Sequence, residues 1–225
     1  MRPLCAFGTV IFSAALCLSA QEQNTPTKGT PVSEARGLPP RATPADYQAH
    51  AKAGAVTVAA EFMGHAILTP EGATYTTDDY VVVETGLFGP PGARLTISNG
   101  DFSLRIQTKK TTSLPSQPFG MVFKSLKDPV WEDANAVDAK AKKSTGISTG
   151  GNGQDNSPPA PVHMPIPLRY AMEQRVQKTA LPEGDRALPE AGLIFFLYRG
   201  KIESIRSAEL VYAGPAGTAT LTLQP

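Results

Sequence analysis

The sequence has few of the residues that build covalent or redox-active sites. Its two cysteines, Cys5 and Cys17, both lie within the first 20 of 225 positions. We expect this segment to be removed from the mature protein, which would then form neither a disulfide nor a thiolate metal site. Packing must therefore supply the stability of the mature chain.

Net charge, aromatic residues and long apolar runs are also scarce. The formal charge is +1 and there is a single tryptophan. This balance predicts no affinity for nucleic acid or for anionic lipid surfaces. The apolar run from Phe7 to Leu18 is shorter than the roughly 20 residues needed to span a bilayer, so no transmembrane anchor is expected.

The N-terminal composition is typical of an exported protein. Arg2, the apolar run and the small residues Ser19 and Ala20 predict a signal peptide over residues 1–20. We therefore expect the protein in the periplasm or outside the cell. Residues 21–45 are rich in Pro, Thr, Gly and charge and predict a disordered leader. A single domain is expected over residues 46–225.

Several segments of that domain have the periodicity of β-strands. Val56 to Phe62 alternates apolar and polar or small residues, and Tyr80 to Leu87 contains a β-branched run. Phe119 to Phe123 is predicted as another strand. Leu193 to Tyr198 is continuously apolar, which indicates a strand covered on both faces.

Two hairpins are predicted from turn residues. Asn99-Gly100 predicts a tight hairpin over Arg94 to Gln107, and Gly214 to Gly217 predicts one within Ala208 to Leu223. About eight strands with turns between them predict an all-β fold, an immunoglobulin-like β-sandwich, with a partly open barrel as the alternative.

The chain also contains a long insertion. Residues 125–166 are predicted as a low-complexity, disordered loop, since Gly, Ser, Asn and Pro dominate their second half. An amphipathic helix is predicted over residues 167–180, with Leu168, Met172 and Val176 on one face. We expect this helix to cover the strand at 193–198.

The order of strand motifs resembles that of a known domain class. The motifs are Tyr-Val-Val-Val-Glu, Phe-Ser-Leu-Arg-Ile, Gly-Leu-Ile-Phe-Phe, Ala-Glu-Leu-Val-Tyr and Thr-Leu-Thr-Leu, and they lie between Val56 and Leu223. This order resembles the telokin-like immunoglobulin domains of uncharacterised secreted bacterial proteins. The resemblance implies a sandwich with an extracytoplasmic accessory or binding role and supplies no catalytic residues. A fold alone does not define a function.

Motifs for catalysis and metal binding are weak. Gly146 to Gly150 matches the Gly-x-Ser-x-Gly form of a hydrolase elbow, but its flanks lack the required strand and helix. His50, His65 and His163 lack metal-motif spacing, so no metal or cofactor is expected. The remaining candidates are acidic pairs in turn-like segments: Asp78-Asp79, Glu132-Asp133, and Glu183 with Asp185.

Aromatic residues beside the insertion are the candidate partner-binding site. Phe119, Phe123 and Trp131 flank it, although ordinary core packing is the competing interpretation. The sequence thus predicts a non-enzymatic module that binds a protein of the cell envelope or contributes to its structure. The alternatives are a carbohydrate-binding module, which needs an exposed aromatic row, and a hydrolase, which needs a pocket joining His65 to the acidic pairs.

Overall fold

A computed structural model describes residues 37–134 and 163–225 of the chain. The strands are β1 (Ala49–Ala53), β2 (Val56–Gly64), β3 (Ala66–Leu68), β4 (Thr74–Thr77), β5 (Tyr80–Phe88), β6 (Arg94–Ile97), β7 (Phe102–Gln107), β8 (Thr111–Gln117), β9 (Leu126–Lys127), β10 (Gly184–Ala187), β11 (Glu190–Leu197), β12 (Ser207–Gly214) and β13 (Gly217–Leu223). The helix α1 spans Ile166–Thr179, and short 3₁₀ turns occur at Pro44–Asp46, Asn99–Asp101, Phe119–Met121, Phe123–Ser125 and Ile202–Ser204. Residues 129–134 are also helical.

Eight antiparallel strands form the main sheet, in the order β1-β2-β5-β11-β8-β7-β12-β13. Strand β8 connects its two halves. Its first part, Thr111 to Pro115, pairs with β7, whereas Ser116 and Gln117 pair with β11. The two outermost strands, β1 and β13, lie close to each other. Just outside their ends, Gln48 Nε2 donates to the carbonyl of Gln224 at 2.9 Å.

The main hydrophobic core lies between these two halves. It joins alternate side chains of β2, β5 and β11 to those of β7, β12 and β13, and the β6–β10 ribbon adds Leu95 and Ile97. Alternation along each strand sends every second side chain into this core. The arrangement is an all-β, sandwich-like fold, which confirms the predicted fold class.

The opposite face of β5 and β11 is also buried. Tyr80 and Val82 of β5, with Leu193 and Phe195 of β11, form a second apolar cluster. The three-stranded β3-β4-β9 sheet, the turns at residues 119–125 and helix α1 contribute the rest of it. We call these covering elements the outer layer. The predicted strand with two covered faces, and the helix as its cover, are both confirmed.

An N-terminal segment is attached to the same face. Leu38 N–H donates to the Ala191 carbonyl at 2.8 Å, and Gly37 N–H donates to the Lys178 carbonyl at 2.7 Å. Arg41 ion-pairs with Glu61 and, at 2.8 Å, with Glu84. The predicted leader, 21–45, therefore extends too far: residues 37–45 pack on the domain because Leu38 and Arg41 find partners there.

The Asn-Gly hairpin prediction was wrong. Asn99 to Asp101 form a 3₁₀ turn in which the Ser98 hydroxyl accepts the Gly100 N–H. Strand β6 pairs with β10, and β7 pairs with β8 and β12. The second predicted hairpin, β12–β13, is confirmed.

Two further predictions need correction. Phe119 to Phe123 is not a strand but falls in two successive 3₁₀ turns, and the strand there is the preceding β8. The predicted loop at 125–166 begins with strand β9, which pairs with β4. Residues 135–162 of that loop lie outside the described ranges.

Candidate functional site

The three aromatic residues predicted to bind a partner lie in or beside the outer layer. Phe119 and Phe123 are half-buried and meet edge to face, with ring centroids 4.5 Å apart. Phe119 also contacts Phe195 of β11, at 5.9 Å between centroids. Trp131 is half-buried, and its backbone N–H donates to Asp128 Oδ1. Both phenylalanines therefore pack against the second apolar cluster.

Exposed apolar side chains lie on the same side of the domain. Leu197 continues the alternation of Leu193 and Phe195, so it faces the outer layer. The other large exposed ones belong to β3, to the turn at 119–121, to the helical segment at 129–134 and to α1. The full set in the described ranges is Leu68, Met121, Val130, Ile166, Leu168, Tyr170 and Leu197. The β7–β12–β13 half contributes none of them.

Helix α1 presents the densest part of this surface. Its C-terminal half buries Met172 and Val176, and its end is joined to β11 by the Leu181 N–H bond to the Leu193 carbonyl at 3.0 Å. In its first turns, by contrast, Ile166 is 78 % exposed and Tyr170 is 62 % exposed. We call Ile166, Leu168 and Tyr170 the helix patch, in which Ile166 and Tyr170 lie one turn apart on one face and Leu168 lies towards the face of Met172. The prediction that Leu168 is buried with Met172 and Val176 was wrong, since Leu168 is 52 % exposed.

Polar groups occur among these exposed residues. Arg169 pairs with Glu173 one turn along α1 at 3.1 Å, and Lys127 pairs with Asp78 at 2.5 Å. Arg175 donates to the Tyr75 hydroxyl at 3.0 Å, a contact that raises the pKa of the guanidinium. An apolar surface interspersed with polar groups has the composition of a protein–protein interface.

His65 is the histidine of the described ranges whose ring makes a hydrogen bond. It is half-buried, and its Nδ1 lies 2.7 Å from the Tyr80 carbonyl oxygen. A carbonyl only accepts, so Nδ1 carries the proton and the neutral ring has its lone pair on Nε2. His65 and the exposed Glu203 line the same open cleft. No hydrogen bond joins the ring to a carboxylate or hydroxyl within the described part of the chain.

The acidic pairs serve mainly as partners for neighbouring groups. Asp79 pairs with Arg199, and Asp185 pairs with Arg94. Glu183 accepts the Asn99 N–H at 2.9 Å. Glu132 and Asp133 lie exposed in the helical segment after β9. None of these paired acids lines the cleft beside His65, although Asp79 holds Arg199 there.

The remaining candidates are the possible metal-binding groups, the other histidines and the Gly-x-Ser-x-Gly motif. In the described ranges, no group of three or more His, Cys, Asp or Glu side chains is arranged to hold a metal ion. His50 and His163 are exposed, and the Gly146 to Gly150 motif lies outside the described residues. Over residues 37–134 and 163–225, no helix is long and apolar enough to cross a membrane.

Comparison with known proteins gives no further assignment. No protein-family model, curated protein or solved structure matches the chain.

Proposed function

We propose that this protein is an exported, non-enzymatic module that binds another protein of the cell envelope, and that the helix patch is the centre of its binding surface. The observation that carries the proposal is the one-sided distribution of exposed apolar side chains. Scattered apolar residues are normal on any protein surface, but their concentration on one side is typical of an interaction site.

The construction of α1 supports this role. Its C-terminal half is held on β11, so a partner would meet a helix that is already formed and anchored. A preformed surface loses less conformational entropy on binding than a flexible one. The half-buried Phe119 and Phe123 are part of the outer layer; they support this surface and are not themselves its contact residues. The resemblance to telokin-like domains implies the same kind of role.

The two alternatives have less support. Stacking on sugar rings needs exposed aromatic faces in a row, and Tyr170 is the one large aromatic residue among the strongly exposed apolar side chains of the described ranges. A hydrolase would need a nucleophile or a carboxylate acting with His65 Nε2. The described contacts of His65 supply neither.

Site-specific photocrosslinking tests the proposal. A photoreactive amino acid replaces Tyr170 in one variant and Thr220, exposed on β13 in the other half of the sheet, in a matched control. Cells expressing each variant are illuminated. We expect one dominant adduct with a different protein at position 170 and none at position 220.

Competition with purified protein then tests the surface itself. Unlabelled parent protein should suppress the adduct, whereas Ile166→Ser/Leu168→Ser/Tyr170→Ser should compete about a hundredfold less well, because three large apolar contacts are lost. A Thr218→Ala/Thr220→Ala/Thr222→Ala variant is the control and should compete like the parent. Equal competition by both triple variants, or an adduct that is only a second copy of this chain, would contradict the proposal.

A further inference from the structure

Two open depressions flank the loop from Tyr198 to Arg206, well apart in sequence from the helix patch. The first, about 640 Å³, is lined by His65, Arg199, Gly200, Lys201, Ile202 and Glu203. The second, about 520 Å³, is lined by Thr108, Lys109, Tyr198, Glu203, Ser204 and Arg206. Both are bordered by Glu203, so the two depressions are adjacent, and we call them together the groove.

This groove concentrates positive charge in a chain that is nearly neutral. Within the described ranges, Lys109, Lys201 and Arg206 form no ion pair with a carboxylate, whereas most arginines there do. Arg199 is partly neutralised by Asp79, at 3.2 Å. Glu203 is the one acidic residue that lines the groove. Three unpaired cations against one acid produce a local positive potential that the net charge does not reveal.

The loop is internally braced, so its cations Arg199, Lys201 and Arg206 are held on a defined backbone. The Tyr198 hydroxyl lies 2.9 Å from Ser204 Oγ, and Ser204 Oγ donates to the Lys201 carbonyl at 2.6 Å. At Gly200, an added Cβ would lie 2.5 Å from the Tyr198 ring, so the ring occupies the space of a side chain.

Both ends of the loop are attached to the body of the domain. Tyr198 N–H donates to the Asp79 carbonyl and Arg206 N–H to the Gln107 carbonyl, each at 2.8 Å. Backbone held in this way keeps charged groups close to the geometry of the bound state, which strengthens recognition of a multiply charged ligand.

We propose that this groove binds a linear anionic polysaccharide through its repeated carboxylate or sulfate groups. Its cations are divided between the two depressions, with Arg199 and Lys201 in one and Lys109 and Arg206 in the other, so they can meet charges that repeat along a polymer. Single-stranded nucleic acid would require aromatic platforms for the bases. The groove has one aromatic ring, Tyr198, which already packs on Gly200.

Binding of defined polymers to the full chain tests this inference. The probes are fluorescently labelled oligogalacturonate and dextran sulfate of similar length, with neutral dextran and oligothymidylate as comparisons. Anisotropy is measured at low and at physiological salt. We expect binding of at least one anionic saccharide, weakened by salt, and no binding of neutral dextran. The preferred probe identifies carboxylate or sulfate as the recognised group.

Charge variants locate the site. Lys201→Gln/Arg206→Gln should bind about tenfold more weakly at low salt, since two unpaired cations are removed. Lys52→Gln/Lys124→Gln removes two exposed lysines outside the groove and should change affinity by less than about twofold. Glu203→Gln removes the repelling acid and should tighten binding by about threefold.

Three results would overturn the inference. Equal weakening by the two double variants would show that only overall charge matters. Weaker or unchanged binding by Glu203→Gln would show that the polymer does not bind in the groove. Tighter binding of oligothymidylate than of either anionic saccharide would replace the polysaccharide by a nucleic acid.

Discussion

Replacing Arg41 should destabilise the protein by leaving two carboxylates without their shared cation. Glu61 on β2 and Glu84 on β5 are directly opposed partners in the sheet. The Arg41 guanidinium lies between them: it ion-pairs with Glu61, and its Nε and Nη2 donate to the two Glu84 oxygens at 3.2 and 2.8 Å. These contacts raise the pKa of Arg41, with the Glu84 hydrogen bond as the largest cause. Arg41→Met keeps an apolar stem of similar length and removes the charge.

The magnitude follows from the positions of the two acids. Directly opposed side chains place carboxylates roughly 6 Å apart, which corresponds to a repulsion of about 3 kcal/mol at an effective dielectric constant of about 20. The Glu61 side chain is 34 % exposed, so solvent reduces this to about half. The Glu84 side chain is only 11 % exposed and also loses its charged partner. We expect a total loss of about 2–3 kcal/mol in the free energy of unfolding.

Urea unfolding at neutral pH measures this loss, and two further measurements test its cause. In Arg41→Met the acids destabilise the folded state only while ionised. The penalty is therefore present at neutral pH and decreases as the pH falls towards about 4. The Arg41→Met/Glu61→Gln/Glu84→Gln variant should return to within about 1 kcal/mol of the parent. A loss below about 0.5 kcal/mol, or a triple variant as unstable as the single one, would refute the reasoning.

Two core positions give further tests by urea unfolding. At Gly192 an added Cβ would lie 2.4 Å from the Leu181 backbone, so Gly192→Ala should cost about 3 kcal/mol, whereas Gly120→Ala, with nothing within 4 Å, should change stability by less than about 0.5 kcal/mol; similar effects at both glycines would contradict the close approach. The buried Thr85 hydroxyl has no hydrogen-bond partner, so Thr85→Val should stabilise the protein by about 1 kcal/mol, and a clear loss of stability would show that the hydroxyl is satisfied.

Strand periodicity predicted which residues are buried more accurately than turn residues predicted which strands pair. The continuous apolar run of β11 predicted a strand covered on both faces, because burial acts residue by residue. Asn99-Gly100 marked a change of direction correctly but not the partner strand. The Glu183 side chain, distant in sequence, accepts the Asn99 N–H and helps to hold that turn against β10. Such a long-range contact leaves no trace in the local sequence.

Strand β8 was missed for a related reason. Pro115 argues against a strand interior. In the structure it is the last residue paired with β7, and the next two residues pair with β11. Proline is therefore tolerated where the strand changes partners.

The candidate surfaces were only partly predictable. The helix was expected over nearly the correct residues. The spacing of Leu168, Met172 and Val176 could not show, however, that the apolar surface under the helix does not extend as far as Leu168. The groove was not predicted, because Lys109 and Arg206 are far apart along the chain. Only the pairing of β7 with β12 brings their segments together.

The position of β11 in the main sheet has a consequence for the order of folding during synthesis. Strand β5, complete at Phe88, pairs on one side with a strand that begins only at Glu190. Until that late segment leaves the ribosome, one edge of β5 has no backbone partner, and strands β12 and β13, which complete the main core beside it, are also missing. Closing so long an intervening stretch is slow compared with forming local contacts. We therefore expect the nascent chain to remain unfolded until synthesis is nearly finished, and the full-length chain to fold as one unit.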